Sequence, residues 1–432
     1  MDSEGNQAHC MTESINQDGL KEGVPLPVAM LLISFTLPVE FSLHLGELLI
    51  TPSRLLLILF IVPVVLKSFS FPKIELFELF FIGYALWILV SMAVNYDFIR
   101  SLESGGVLVL EALVSFYVVK CYITTANHIQ SLLKLIAVIA MILLPFLVLE
   151  NVTGVHSFHN LFSSITGFHY PLRYEERLGL TRAYGPFSHP ILSGVFFSGL
   201  IGIFWYGARH SLTKKMWQMG ILVGATFTSL SSAPLLVAIF QLAAIFWNRV
   251  ADRIKVRWKL VVAGMASLYV FLFFWSPYSP VMVILSRITM DPHTAYWRML
   301  IWDFGTAEVG RHPFVGIGFG DWIRPVWMLS DSVDNFWLLQ AMRYGLPAVV
   351  FLGAAVLLLL IKVHSLKDRT ESKDYQMISL GWIVSAIALV MVAFTVDFFG
   401  NNRPFFFFLM GLGAAIVNMQ QMTLKKGQED IG

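Results

Sequence analysis

Charge is scarce in this chain: 13% of its 432 residues are Asp, Glu, Lys or Arg, well below the roughly 25% of ordinary soluble domains. Hydrophobic residues make up 56%, so lipid is the solvent for most of the sequence. The formal net charge is only +2, which removes the electrostatic case for a nucleic-acid partner and leaves the placement of charge to carry information. Two cysteines, Cys10 and Cys121, supply neither a disulfide framework nor a Cys-rich metal site, and redox chemistry is not expected. Residues 1–24 lack a basic stretch leading into a short apolar core and a small-residue cleavage site. They read as a disordered cytoplasmic tail rather than a signal peptide. No internal repeat is visible, which counts against a secondary transporter built from paired halves with broken helices.

What is present is a series of long apolar runs. A backbone crossing lipid must bond within its own segment, which takes about 20 apolar residues as helix. Such stretches fall at 26–44, 48–67, 76–95, 103–120, 131–150, 187–208, 216–232, 233–248, 258–275, 336–361, 377–397 and 402–420. The expectation is an all-α polytopic membrane protein of about twelve transmembrane helices, with one transmembrane domain over 25–420 and a short cytoplasmic tail over 421–432. Lys and Arg collect on cytoplasmic connections. With the amino terminus inside, one side receives Lys67 and Lys73; Lys120 and Lys134; Arg209, Lys214 and Lys215; and Arg249, Arg253, Lys255, Arg257 and Lys259. Lys362, Lys367, Arg369, Lys373, Lys425 and Lys426 complete the same side. Two long connections then face outward, 151–186 and 276–335.

These loops have no lysine: none occurs between Lys134 and Lys214, or between Lys259 and Lys362. They carry Arg173, Arg177 and Arg182 in the first, and Arg287, Arg298, Arg311 and Arg324 in the second. Arginine offers a planar fork that grips phosphate bidentately and stays charged where hydration is poor. The set therefore points to phosphate recognition, with Arg182 and Arg298 foremost. Pairing with Glu175, Glu176, Asp291, Asp303 or Glu308 is the ordinary alternative for any one of them. His156, His159, His169, His189, His293 and His312 lie on the same side without metal-ligand spacing. His189, in the turn Tyr184-Gly185-Pro186-Phe187-Ser188-His189-Pro190, stands out as a base or hydrogen-bond donor. Residues 294–309 place Trp297, Leu300, Ile301 and Phe304 at helical spacing, the pattern of an interfacial helix that caps the bundle. The run Gly316-Ile317-Gly318-Phe319-Gly320 has no strand before it and is not a nucleotide loop; its glycines permit tight backbone packing. Glu111, inside a span, is a functional candidate by its cost alone. Asp334 and Asn335, and Asp397, Asn401, Asn402 and Arg403, complete the polar inventory of the outer side.

The chain resembles the superfamily of O-antigen polymerases and O-antigen ligases, integral-membrane glycosyltransferases that act on undecaprenyl-diphosphate-linked glycans. Three blocks over roughly residues 25–420 carry the resemblance. The first runs from Arg182 through Gly185, Phe187 and Pro190 into a central helix. The second runs from Arg298 and Trp302 through His312 and Pro313 to Gly316, Gly318 and Gly320. The third is Asp334-Asn335-Phe336-Trp337-Leu338 followed by Tyr344-Gly345-Leu346-Pro347. The resemblance implies a GT-C-like fold in the bacterial inner membrane, both termini cytoplasmic and the active site periplasmic. It implies metal-independent glycosyl transfer with no cofactor. Arg182 and Arg298, with Arg177, Arg324, His312 and Asn335 about them, would hold the diphosphate, and Asp334 or His189 would position the attacking hydroxyl. Ligases of the family usually have histidine where this chain has Asp334, which shifts the expectation to a polymerase extending a lipid-linked O-antigen or exopolysaccharide, with a flippase and a chain-length regulator as companions. A ligase transferring polysaccharide to lipid A-core is the nearest alternative. A glycolipid flippase using Glu111 as a proton site is the alternative of another class, and a structural scaffold the weakest reading.

Overall fold

The computed structural model describes residues 23–45, 48–70, 74–275 and 292–429. Cys10, Lys73, Arg287 and Asp291 lie outside the described residues, as do the side chains of His293, Lys425 and Lys426. The protein is an all-α, multi-pass membrane protein: nine of the described helices are long and apolar enough to cross a bilayer. These are α3 (Leu76–Asn95), α4 (Phe98–Tyr122), α5 (Ala126–Thr153), α7 (Pro190–Gly207), α9 (Ser232–Val250), α10 (Arg257–Trp275), α13 (Leu346–Lys367), α14 (Lys373–Val392) and the stretch Asn402–Leu424 of α15 (Asn402–Glu429). Two apolar helices of 17 residues, α2 (Pro52–Ser68) and α8 (Leu212–Thr228), run beside them. The remaining helices are α1 (Leu26–Ser34), α6 (Ser157–Thr166), the cap helix α11 (Pro292–Arg311) and α12 (Phe336–Tyr344).

Two segments depart from the expected spans, each for a local reason. The stretch expected as a helix over 26–44 stops at Ser34 after nine residues. It continues as a 3₁₀ turn, Val39–Phe41, behind Pro38, and then a hairpin of β1 (Leu43–Leu45) with β2 (Leu48–Ile50), Leu43 opposite Ile50. The turn holds Glu40, whose Oε1 meets His159 Nδ1 at 2.7 Å, so this carboxylate has a polar partner at the bundle end rather than lipid. The stretch expected as one helix over 336–361 is two, α12 and α13, broken at Gly345 with φ +81°. A Cβ there would stand 1.8 Å from Phe314 O, so only glycine fits the break. The second long connection carries the expected interfacial helix, α11, over the first part of its described residues, and continues as loop to Asn335. Its residues Trp297, Leu300, Ile301 and Phe304 pack with Trp322, Met328, Val333, Leu338 and Met342 in a cluster of their own, as their spacing predicts.

The main core wraps α7, α14 and α15, whose backbones approach closely. A Cβ on Gly381 would lie 2.9 Å from Gly202 O, the close approach that small residues allow between membrane helices. Helix α7 is interrupted between Ser198 and Ile201, which frees main-chain donors in an apolar interior. Gln241 Oε1 accepts from Gly202 N at 2.9 Å and Ser385 Oγ accepts from Ile203 N at 2.9 Å, so the break is satisfied from neighbouring helices. Helix α4 contains a π-helical turn, Leu110–Val114, which turns Glu111 toward α2 and α15. None of the side chains of α10 is buried, so this helix lies at the margin of the bundle.

Candidate functional site on the loop face

The first long loop is held by carboxylates. Glu150, buried near the end of α5, accepts from Tyr184 N at 3.0 Å through Oε1 and from Gly185 N at 2.9 Å through Oε2, and His156 Nδ1 meets its Oε1. His159 faces Glu40 through Nδ1 and the carbonyl of Phe187 through Nε2 at 3.0 Å. Both ring nitrogens thus have oxygen partners, one on the turn after Pro38 and one on the turn before α7. These contacts fix the turn 184–189 from both sides. His189 is the N-cap of α7, its Nδ1 accepting from Ile191 N at 3.2 Å. In the neutral ring the proton is then on Nε2, which makes the group a donor rather than a base. Burial first, and the charge of Arg182 second, lower its pKa to about 4.

Arg182 and Arg177 reach the junction of α8 and α9, where Leu230 turns with φ +44° and the last carbonyls of α8 lack helical partners. Arg182 Nε donates to Ser229 O at 3.2 Å, a terminal nitrogen donates to Ser231 Oγ at 2.6 Å, and the other pairs with Glu175. Arg177 donates to Leu230 O at 3.2 Å. Arg182 is 4% exposed; burial and then the charge of Arg177 lower its pKa, opposed by Glu175. One N–H on each of its terminal nitrogens remains for a ligand.

The second corner is less satisfied. Arg298 on α11 is partly buried, and its Nε has no partner among the described residues. Burial lowers its pKa, against the pull of Asp334 and with the push of Arg177. Arg177 thus couples both corners, since its charge acts on Arg182 and Arg298 alike. Asp334 is exposed and accepts from Ser332 Oγ at 3.1 Å. Asn335, not Asp334, caps α12, through Oδ1 and Leu338 N at 3.0 Å, so the carboxylate is free of that duty. Asp397, between α14 and α15, has its pKa raised by burial, against Arg403 and Arg343 and with the charge of Asp334 adding. Its Oδ1 is buried without a partner among the described residues, as is Arg403 Nε. Asp334 therefore acts electrically on both Arg298 and Asp397.

Glu111 is the shared counter-ion of two arginines: Arg54 Nε donates to Oε1 at 2.8 Å and Arg403 to Oε2 at 3.5 Å. Both carboxylate oxygens are thus engaged, one by α2 and one by α15, in an ion-pair network that ties these helices to α4.

The structure brings Arg177, Arg182 and His189 into one corner and Arg298 and Asp334 into the next. Asn335 serves as a cap. Arg324 packs within its own loop, pairing with Asp321 and donating to Met328 O at 3.0 Å, and His312 lies 3.5 Å from Glu308, which also holds Arg311. Arg343 escaped the sequence reading because it was enclosed in a span drawn over 336–361. An arginine inside a supposed span was itself the signal. Arg54 likewise sat at the edge of a span and gained meaning only beside Glu111.

No protein-family model matches the chain, and no curated protein matches it. Among solved structures, a chain from the structure described as "Structural coordination of polymerization and crosslinking by a peptidoglycan synthase complex" is similar over 78% of this chain and 97% of that chain. The identity is 13% and the TM-score 0.38, a likeness too slight to support an argument.

Proposed function

We infer that this protein is a membrane glycosyltransferase of the polysaccharide-polymerase kind. It would transfer a glycan from an undecaprenyl-diphosphate carrier onto another lipid-linked repeat unit at the periplasmic face of the inner membrane. The observation that carries this reading is Arg298, a partly buried guanidinium with an unpartnered Nε, acting on an exposed carboxylate, Asp334, that has no capping role. In this reading Arg298, with the free N–H groups of Arg182 and with Arg177 near, receives the diphosphate. Charge developing on the bridging oxygen as the anomeric C–O bond breaks is stabilised there. Asp334 orients the acceptor hydroxyl and takes its proton as the oxygen attacks the anomeric carbon. The diphosphate leaves with the bonding electron pair. His189, neutral and with Nε2–H outward, donates to substrate.

The test is Asp334→Asn in purified, full-length protein, with chain growth followed on polyprenyl-diphosphate oligosaccharide in the presence of a chelator. Donor binding is measured in parallel. Retained binding with extension reduced by about 10²-fold or more is expected of a lost general base. Undiminished extension by the variant removes Asp334 from the reaction.

A further inference from the structure

Beside this centre the second loop encloses a cavity of about 170 Å³, and nothing in the reaction above uses it. Its walls include Phe319, Asp321, Trp322, Arg324, Asp331 and Arg343. The glycine run noted in the sequence builds its floor. Ile317 N and Gly318 N donate to Met342 O and Arg343 O, each at 2.9 Å, which ties the loop to the end of α12. Gly316 has φ +65°, and a Cβ there would lie 2.4 Å from the Arg343 main chain. The floor is thus a fixed wall, and it sets where Arg343 stands.

Arg343 lies 4.9 Å from the ring centroid of Phe319, a residue that is 46% exposed and whose main-chain N–H donates to Tyr96 Oη at 2.7 Å. Trp322 is buried behind, its Nε1 donating to Asp331 O at 3.0 Å, with Arg324 5.4 Å over its ring. Asp331 is exposed at the rim. The named charges balance, two Asp against two Arg, and Arg324 is neutralised by Asp321. A polyanion such as a diphosphate finds no net attraction here. A neutral polyhydroxyl ring finds complementary groups: the half-exposed Phe319 ring, which carries Arg343 over one face, for its apolar side, a carboxylate acceptor in Asp331, and guanidinium donors in Arg343. Val333, the neighbour of Asp334 in the chain, also lines the cavity, which sets it beside the reaction centre.

We propose that this cavity is a subsite for an uncharged sugar residue of the glycan, held between Phe319, Asp331 and Arg343. The assignment of that sugar to an acceptor or growing chain rests on the polymerase reading; the binding itself does not. The experiment is saturation-transfer NMR on full-length protein in detergent, with soluble oligosaccharides of hexose, 6-deoxyhexose, N-acetylhexosamine and uronic-acid type, and inorganic phosphate as the anionic comparison. At least one neutral oligosaccharide is expected to bind, weakened about tenfold by Asp331→Asn, the loss of one charged hydrogen bond, and likewise by Phe319→Ala. Phe319→Tyr keeps the stacking face and should bind as the parent does. Arg298→Lys, placed in the diphosphate site, should leave sugar binding unchanged. Absence of binding by every neutral sugar, indifference to Asp331→Asn and Phe319→Ala together, or binding of phosphate alone overturns the subsite. Sugar binding without chain growth would leave the subsite standing and defeat the polymerase reading; chain growth with no sugar bound here would do the reverse.

Discussion

Two clusters, one at each polar end of the bundle, treat buried charge in opposite ways. At the end away from the loops, Glu78 accepts from Lys120, from Tyr117 at 3.1 Å and from Glu75 N at 3.2 Å, while Glu75 is met by Gln421 at 2.6 Å and Lys362 at 3.1 Å. Both oxygens of each carboxylate have partners, and the contacts tie α3, α4, α13 and α15 together. At the loop end, Asp397 Oδ1, Arg298 Nε and Arg403 Nε are buried without partners among the described residues. Unsatisfied buried charge is costly and persists where something other than folding requires it. Arg182 sits at the loop end but resembles the opposite one, since three of its donors serve Ser229, Ser231 and Glu175. The comparison separates charges that hold the fold from charges that await a ligand.

The strongest way to break that contrast is at the paired end. Glu78→Ala takes the carboxylate from the buried Lys120, and removing one partner of such a pair costs about 3–5 kcal/mol. The expected outcome is loss of monodisperse protein on size exclusion. A variant that purifies and melts like the parent would show that this network does not hold the fold. Next in size is Arg298→Lys, which keeps charge but loses the fork. Glycan extension should fall by about 10²-fold, roughly the loss of one well-placed oxyanion donor, with the melting temperature unchanged. An equal fall in stability would place Arg298 with the structural charges. Arg182→Lys sharpens the contrast within the loop end. Lysine cannot reach Ser229 O, Ser231 Oγ and Glu175 together, and a stability loss of about 1–3 kcal/mol is expected, read as a lower melting temperature before any assay of activity. Unchanged melting with lost activity would instead make Arg182 a ligand arginine like Arg298.

The smallest effect concerns His189. Its folded pKa of about 4 lies below the ordinary 6.5, so between these values the unfolded chain binds more protons than the folded one. Stability from this residue is full above pH 6.5 and is lost as pH falls toward 4. His189→Asn keeps a cap acceptor and should flatten that part of the melting-temperature profile. A profile with the same slope in both proteins would show that other groups set it.

Much of the architecture was legible because lipid imposes strict rules. Runs of apolar residues at 76–95 and 258–275 could only be helices, and they are α3 and α10. Trp297, Leu300, Ile301 and Phe304 declared their shared face through spacing, and that face packs. Apolar content alone misread 26–44 and 336–361, because a helix ends where the backbone demands it. Hydropathy does not register that Gly345 must adopt φ +81° beneath Phe314, or that Glu40 has a partner in His159.

The sequence by itself determined the solvent, the helical class and the asymmetry of arginine and lysine between the two sides, because each follows from residue chemistry counted along the chain. Only the tertiary structure decided which arginines are occupied. Arg182 and Arg298 are alike as letters in lysine-free loops, yet one caps the end of α8 and the other leaves its Nε unpaired near Asp334. The difference lies in which carbonyls and carboxylates the fold brings within hydrogen-bond reach. Those partners, at Ser229 and Ser231 or at Glu111 for Arg54 and Arg403, come from helices remote in sequence.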